Sequence, residues 1–260
     1  MSHTVNAFYG APTTIARIRD IPFDRPWRWL AAGWSDLRRA PAASLGYGAF
    51  FVIVSYLLVI SLVMTGTYYL LLPMAAGFFL VAPFLGIGLY QISRSLEQGD
   101  TPSISQAFGA WFVHRFHVAT MGAVLVVIFM AWIMLANLLF VFLFSGITPT
   151  WENFLPAIFS AQNIPLLLLG TGAGAMIAAF VFSIAAISIP MLLDRDIDVF
   201  SAIHTSMAAV RYNMAPMALW AVLIVLIVGA GMMTLFVGLV LGLPILGHAT
   251  WHAYRDLVER

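Results

Sequence analysis

The sequence predicts an all-α fold, a polytopic bundle of transmembrane helices, and three observations carry that prediction. Of 260 residues 62% are apolar and 9% charged, with a mean hydropathy of +0.96; soluble proteins average roughly 45–50% and 25%. The charges are clustered. Between Arg39 and Arg94 lie 54 consecutive residues without Asp, Glu, Lys or Arg, and uncharged runs of 36 (116–151), 41 (153–193) and 43 (212–254) follow. These runs are continuously apolar, without the alternation of a transmembrane barrel. A helix crosses the hydrocarbon with about 20 residues, so the chain passes the bilayer several times. A soluble enzyme, a nucleic-acid-binding module and a single-anchor protein are excluded.

Residues 1–25 read as a polar cytoplasmic tail, with no secretory signal peptide, and 26–257 as one transmembrane domain. Residues 26–40 read as a helix lying on the membrane. Pro26 suits its first turn. Trp27, Leu30, Ala31, Trp34 and Leu37 make its apolar face, and Arg28, Asp36, Arg38 and Arg39 lie away from it. Such a Trp/Arg arrangement favours the headgroup boundary, and Pro41 stops the helix.

The run 42–93 must cross twice, since one helix at 1.5 Å per residue would far exceed a core of about 30 Å. Spans are expected at about 45–65 and 69–92, with a turn at Thr65-Gly66-Thr67. A second interfacial helix is expected at 102–115, opened by a Ser103/Gln106 capping box and striped by Ile104, Ala107, Phe108, Trp111 and Phe112. Span three is about 117–144 and span four about 164–191, joined by a loop with Pro149, Trp151, Glu152 and Pro156. A third short helix is capped by Asp198, with Val199, Ile203, Met207 and Val210 on one face. The last run is long for one span and tight for two. A turn at Gly229-Ala230-Gly231 would give spans at about 208–228 and 232–251, with five spans the alternative. All 12 basic residues are Arg. Six spans put all of them on one side, so the positive-inside rule favours six spans with both termini cytoplasmic.

The chain also suggests a threefold internal repeat. Each unit holds an interfacial helix, an Arg (Arg39, Arg115, Arg211), an outward span and an inward span with a Pro near its end (Pro83, Pro190, Pro244). Pro83-Phe84-Leu85-Gly86 aligns with Pro244-Ile245-Leu246-Gly247.

Few residues carry chemistry. The absence of Cys excludes disulfides, iron–sulfur clusters and thiolate copper sites. His114 with His117, and His248 with His252, have helical spacing that suits a shared metal or a haem; the bland alternative is interfacial hydrogen bonding. No ionisable residue lies near the centre of a span, which argues against an ion-coupled pump. Gly170 with Gly174, and Gly238 with Gly242, are GxxxG pairs suited to helix packing. Trp27, Trp34, Arg38, Arg39, Trp111, Arg115, Arg211, Trp251 and Arg255 are the expected interface anchors. There is no phosphate loop, paired acid site or nucleophile–base arrangement, so no catalytic residue is assigned.

Two segments carry a family resemblance. They are Pro26-Trp27-Arg28-Trp29-Leu30 through Gly33-Trp34-Ser35-Asp36-Leu37 to Gly48, and Pro244 through Gly247-His248-Ala249-Thr250-Trp251-His252 to Arg255. The chain resembles, over about residues 26–257, a proteobacterial family of integral membrane proteins with a domain of unknown function, sometimes labelled cytochrome c oxidase subunits. The resemblance implies the bacterial inner membrane and, if the label holds, an accessory subunit. Three functions are therefore expected, in this order. The first is a non-catalytic partner of a respiratory or other membrane complex, or a self-associating protein. The second is a carrier or channel for a small neutral or lipidic substrate. The third is a haem or metal protein built on the histidine pairs.

Overall fold

The computed structural model describes residues 16–145 and 151–259, apart from the side chains of Trp151 and Leu155. The start of the expected tail, Pro149, the Trp151 side chain and Arg260 lie outside the described residues. Twelve α-helices are described: α1 Arg25–Arg39, α2 Pro41–Met64, α3 Leu71–Leu85, α4 Ile87–Gln98, α5 Ile104–Gly109, α6 Arg115–Leu143, α7 Phe154–Ile158, α8 Ile164–Ala185, α9 Ser188–Asp194, α10 Val199–Tyr212, α11 Met214–Met233 and α12 Leu239–Leu257.

Among the described residues five stretches are long and apolar enough to cross a membrane: Pro41–Met64, Tyr68–Gln98, Arg115–Leu143, Ala161–Asp194 and Met214–Met233. The protein is thus an all-α, multi-pass membrane bundle. Large apolar side chains on the outside of α2, α6 and α11, such as Leu57, Val127, Met134 and Leu226, are exposed because they face lipid.

Two of the crossing stretches are broken near the charged end, and a hydroxyl from a neighbouring helix repairs each break. The α3–α4 break follows Pro83, which cannot donate within the helix. There the Tyr47 hydroxyl donates to the Leu85 carbonyl at 2.9 Å and accepts from the Gly88 N–H at 3.3 Å. At the α8–α9 break, Ser206 Oγ accepts from the Ile187 N–H at 3.2 Å and donates to the Ser183 carbonyl at 2.8 Å. Freed backbone groups in a bilayer need such partners.

The long helices form two groups. In one, α3, α6 and α8 pack on each other; in the other, α1, α2 and α11 gather around α12. The short helices α4, α9 and α10 join the groups at the charged end. There Arg255 pairs with Glu97 at 2.7 Å and with Asp194 at 3.1 Å, and Tyr254 donates to Asp194 at 2.7 Å. These bonds tie together the ends of α4, α9 and α12.

Several expectations need correction. The helix at 26–40 does not simply lie on the membrane. It packs along α12, burying Trp29, Gly33, Asp36 and Leu37, while Trp27 and Trp34 stay exposed. Residues 16–25 of the expected tail bond to the bundle: the Arg19 N–H donates to the Leu257 carbonyl at 2.9 Å and the Ile21 N–H to Asn213 Oδ1 at 2.9 Å. The capping box at Ser103 is present, but α5 is short and the chain turns at His114, whose φ is +44°. Asp198 caps α10 and Val199 is buried as expected, but the rest of the buried face is the small and polar one of Ala202, Thr205, Ser206 and Ala209; Met207 is exposed. The fifth span starts at Met214: Asn213, with φ −117° and ψ 44°, separates it from α10, and its side chain bonds to the Ile21 and Arg19 backbone.

The expected turn at Gly229-Ala230-Gly231 is helical. The chain reverses instead at 234–238, where Leu235 and Phe236 have φ of +52° and +67°. Gly231 lies in the helix and serves close approach: Leu239 of α12 packs where a Cβ would stand. Helix α12 returns beside α11 but falls outside the five crossing stretches, since its second half carries His248, His252, Arg255 and Asp256.

Candidate functional site

A buried chain of polar side chains joins four helices. Asp36 Oδ2, on α1, accepts from Ser93 Oγ of α4 at 2.8 Å and from His252 Nε2 of α12 at 2.8 Å. Ser93 Oγ lies 2.8 Å from His248 Nδ1, and His248 Nε2 lies 2.9 Å from Ser44 Oγ of α2. Asp36, Ser44, Ser93 and His248 are all buried. The hydrogen bonds assign the tautomer. Ser93 gives its one proton to Asp36, so it accepts from Nδ1–H, and Nε2 accepts from Ser44. Burial pushes the Asp36 carboxyl up. The hydrogen bond and charge of His252, the Ser93 hydroxyl and His248 outweigh it, leaving the group below its usual value.

On paper a serine, a histidine and an aspartate suggest acyl-transfer chemistry. Here Ser44 is fully buried, and His248 Nδ1 meets Ser93 rather than a carboxylate, so the order of a catalytic triad is not kept. The arrangement can lock α1, α2, α4 and α12 in register, and the glycines agree with that. A Cβ on Gly33 would stand 2.6 Å from the Ile245 carbonyl, and one on Gly247 would stand 2.5 Å from Leu89 Cδ1. Without a hydrophobic force between helices in lipid, such close approach and such hydrogen bonds supply the association.

The second feature is a cleft of about 580 Å³ between the two helix groups. This lies within the roughly 300–1,000 Å³ of small-molecule sites. Phe78, Phe79 and Ala82 of α3 with Ala175, Ala178 and Phe182 of α8 form one wall. Gly48 and Phe51 of α2, Ala218, Trp220 and Ala221 of α11 and Leu243 and Leu246 of α12 form the other. No charged residue lines it. Its hydroxyls are turned to the backbone: Tyr47 to Leu85, Tyr90 to Pro83, Ser183 to Ala179 and Thr250 to Leu246. Val222, Val225 and Leu226, on its rim, are exposed to the level of 53%, 54% and 61%, so the cleft adjoins the lipid-facing surface of α11. A smaller cavity of about 240 Å³ at the charged end is lined by Arg94, Glu97, Asp194 and Arg255, the residues of the clamp described above.

Residues 71–194 match the DUF2189 family, described as a predicted integral membrane protein. No curated protein and no solved structure matches the chain. The matched stretch runs from α3 to α9 and so supplies one wall of the cleft together with Ser93. It is shorter than the 26–257 of the expected resemblance, and its description names no oxidase.

The expected site residues fall apart spatially. His248 and His252 both engage the Asp36 network. His114 and His117 instead lie 3.5 and 3.7 Å from Asp196, an exposed residue ahead of α10. Among the described residues no group of three or more His, Asp or Glu is arranged to hold a metal ion. Of the GxxxG pairs, Gly174 meets Trp132 and Gly242 meets Ile227; Gly170 has nothing near it and Gly238 lies in the turn before α12. Of the anchors, Trp27, Trp34, Arg38, Arg39, Arg115 and Arg211 are exposed, with Arg38 stacked over Trp34. Trp111 bonds to Tyr47, Trp251 is buried and bonded to Glu97, and Arg255 is in the clamp, so these three serve packing. Sequence reasoning missed Asp36, Ser44, Ser93 and the cleft. The one available signal was the spacing of Trp29, Gly33, Asp36 and Ala40, a helical face holding a small residue and an acid.

Proposed function

We propose that this is a non-enzymatic membrane protein that holds a neutral, lipidic molecule in the cleft between its two helix groups, as a carrier or binding protein. The observation that carries the reading is the lining: the walls are apolar, the hydroxyls are already bonded, and the rim meets the bilayer. A charged or polyhydroxylated ligand would lose its hydration there without compensation. In the full reading α12 makes a sixth pass and the arginine-rich end faces the cytoplasm of a bacterial inner membrane, as the positive-inside rule favours. A threefold origin of the helix pairs draws support from the proline on each returning stretch.

The test is retention of labelled octadecane by the protein in nanodiscs, counted in excess over empty discs. Ala178→Trp, which fills the cleft from α8, should abolish the excess. Equal retention by protein-bearing and empty discs would sink the proposal. The accessory-subunit reading has the exposed face of α6 to offer, a face that the bilayer covers equally well. A haem or metal on the histidines would have to displace the bonds to Asp36 or Asp196; an optical spectrum and metal analysis of the pure protein test it.

A further inference from the structure

Among the described residues five polar side chains line the cleft, and none of them has a proton to give a ligand. Tyr47, Tyr90, Ser183 and Thr250 each donate to a backbone carbonyl, and the Trp220 N–H is buried out of reach. A hydroxyl that has spent its one proton still holds acceptor lone pairs. Tyr47 and Tyr90 are buried, and Tyr47 already accepts from Gly88 and Trp111. Ser183 and Thr250 are only half-buried, and their hydroxyls lie in the walls. Helix α8 turns Ala175, Ala178, Ala179, Phe182, Ser183 and Ala186 to the cleft, and Ser183 Oγ, bonded at 2.8 Å to the Ala179 carbonyl, sits within that stripe. On the opposite wall Thr250 Oγ1 bonds at 2.8 Å to the Leu246 carbonyl, inside the stripe of Leu243, Leu246, Gly247 and Thr250. Two prolines add acceptors. Pro83 and Pro190 have no N–H for the carbonyls four residues back, those of Phe79 and Ala186, and both of these residues line the cleft. Ser183 and Ala186 border the α8–α9 break and Thr250 lies in the polar half of α12, so the acceptors gather at the charged end.

We infer that the cleft selects a long apolar alcohol, whose hydroxyl donates to Ser183 or Thr250 at the charged end while its chain lies along Phe51, Phe78 and Val225 toward the rim. This rests on the proposed lipid-binding role and narrows it. A saturated hydrocarbon satisfies the walls but leaves the acceptors without a partner. A ketone has no proton to offer them. A protonated amine has protons, yet it would bring a charge into a cleft with no carboxylate on its walls. One hydroxyl on an apolar body meets both demands.

The experiment compares mid-chain octadecanol with mid-chain octadecanone, two probes of the same length of which only the alcohol donates. Each is measured as the ratio of protein-bound to bilayer-dissolved probe in nanodiscs, for the wild-type protein and for the double variant Ser183→Ala, Thr250→Val. The bilayer's own preference between the probes is common to both proteins and cancels between them. One net neutral hydrogen bond predicts an alcohol-to-ketone ratio roughly 2- to 10-fold higher on wild type than on the variant. Because the ratio is read within one protein, a general loosening of the walls by the substitutions also cancels. Should the double variant fail to fold, Ser183→Ala and Thr250→Val are read singly, and at least one of them must lower the ratio. An equal ratio on wild type and variants overturns the selection of a donor while the lipid-binding role stands. If neither probe is retained above empty discs, the lipid-binding role itself is overturned.

Discussion

Replacing Asp36 by alanine tests whether α1 is locked onto the bundle or rests on the membrane. The carboxylate accepts two hydrogen bonds of 2.8 Å, from Ser93 and from His252, and it is almost fully buried. Hydrogen bonds to a charged group are worth about 1.5–3 kcal/mol each, and breaking a buried pair by removing one partner costs about 3–5 kcal/mol. The His252 side chain is 31% exposed and can be rehydrated in the variant, which argues for the lower part of that range. We expect Asp36→Ala to lose about 3 kcal/mol in reversible unfolding by a denaturing detergent. Asp36→Asn, which keeps an acceptor for Ser93, should fall between the two. The acid dependence has a definite sign. The folded carboxyl lies below its unfolded value of 3.8, so its contribution is full above that pH and is lost as the pH falls through the folded value. The gap between wild type and Asp36→Ala should therefore close in acid. A variant within about 0.5 kcal/mol of wild type, the scatter of ordinary surface substitutions, would refute the docking of α1 through this network.

Three further outcomes are expected. Gly33→Ala places a methyl against the backbone of Ile245 and Ala249; overpacking of this kind costs about 1–3 kcal/mol, and protease should cut near residue 24 faster than in wild type. Ser206→Ala strips the α8–α9 break of both its partners, so hydrogen exchange at the Ile187 amide should accelerate; unchanged exchange would mean that the hydroxyl repairs nothing. Asp198→Ala removes a cap whose carboxyl is held low by the Ser201 hydroxyl and amide; a loss of about 1 kcal/mol is expected, shrinking in acid as the wild-type carboxyl is protonated.

The crossing stretches were legible in the sequence because charge is costly in hydrocarbon, so gaps between arginines mark them directly. The turn at Gly66 and the caps at Ser103 and Asp198 were legible for local reasons, each being fixed within a few residues. What escaped was contact between distant elements. Asp36 lies 57 residues from Ser93 and 216 from His252, and nothing local says that they meet. His248 and His252, spaced for one helical face, both reach the Asp36 network, and that spacing does not tell a metal from a carboxylate. The turn after Met233 was misplaced because glycine signals a turn and close helix approach equally well, and Gly231 does the second. The cleft was illegible for a related reason: an apolar side chain facing lipid, protein or a ligand reads the same.

The central claim is that the cleft between the two helix groups holds a lipidic molecule. Mass spectrometry of the protein released from its native membrane tests it most directly, with Ala178→Trp and wild type prepared side by side. The account predicts a neutral lipidic species retained by wild type in roughly one-to-one amount and missing from the variant, whose fold is otherwise intact. Identical lipid complements on the two proteins would contradict it.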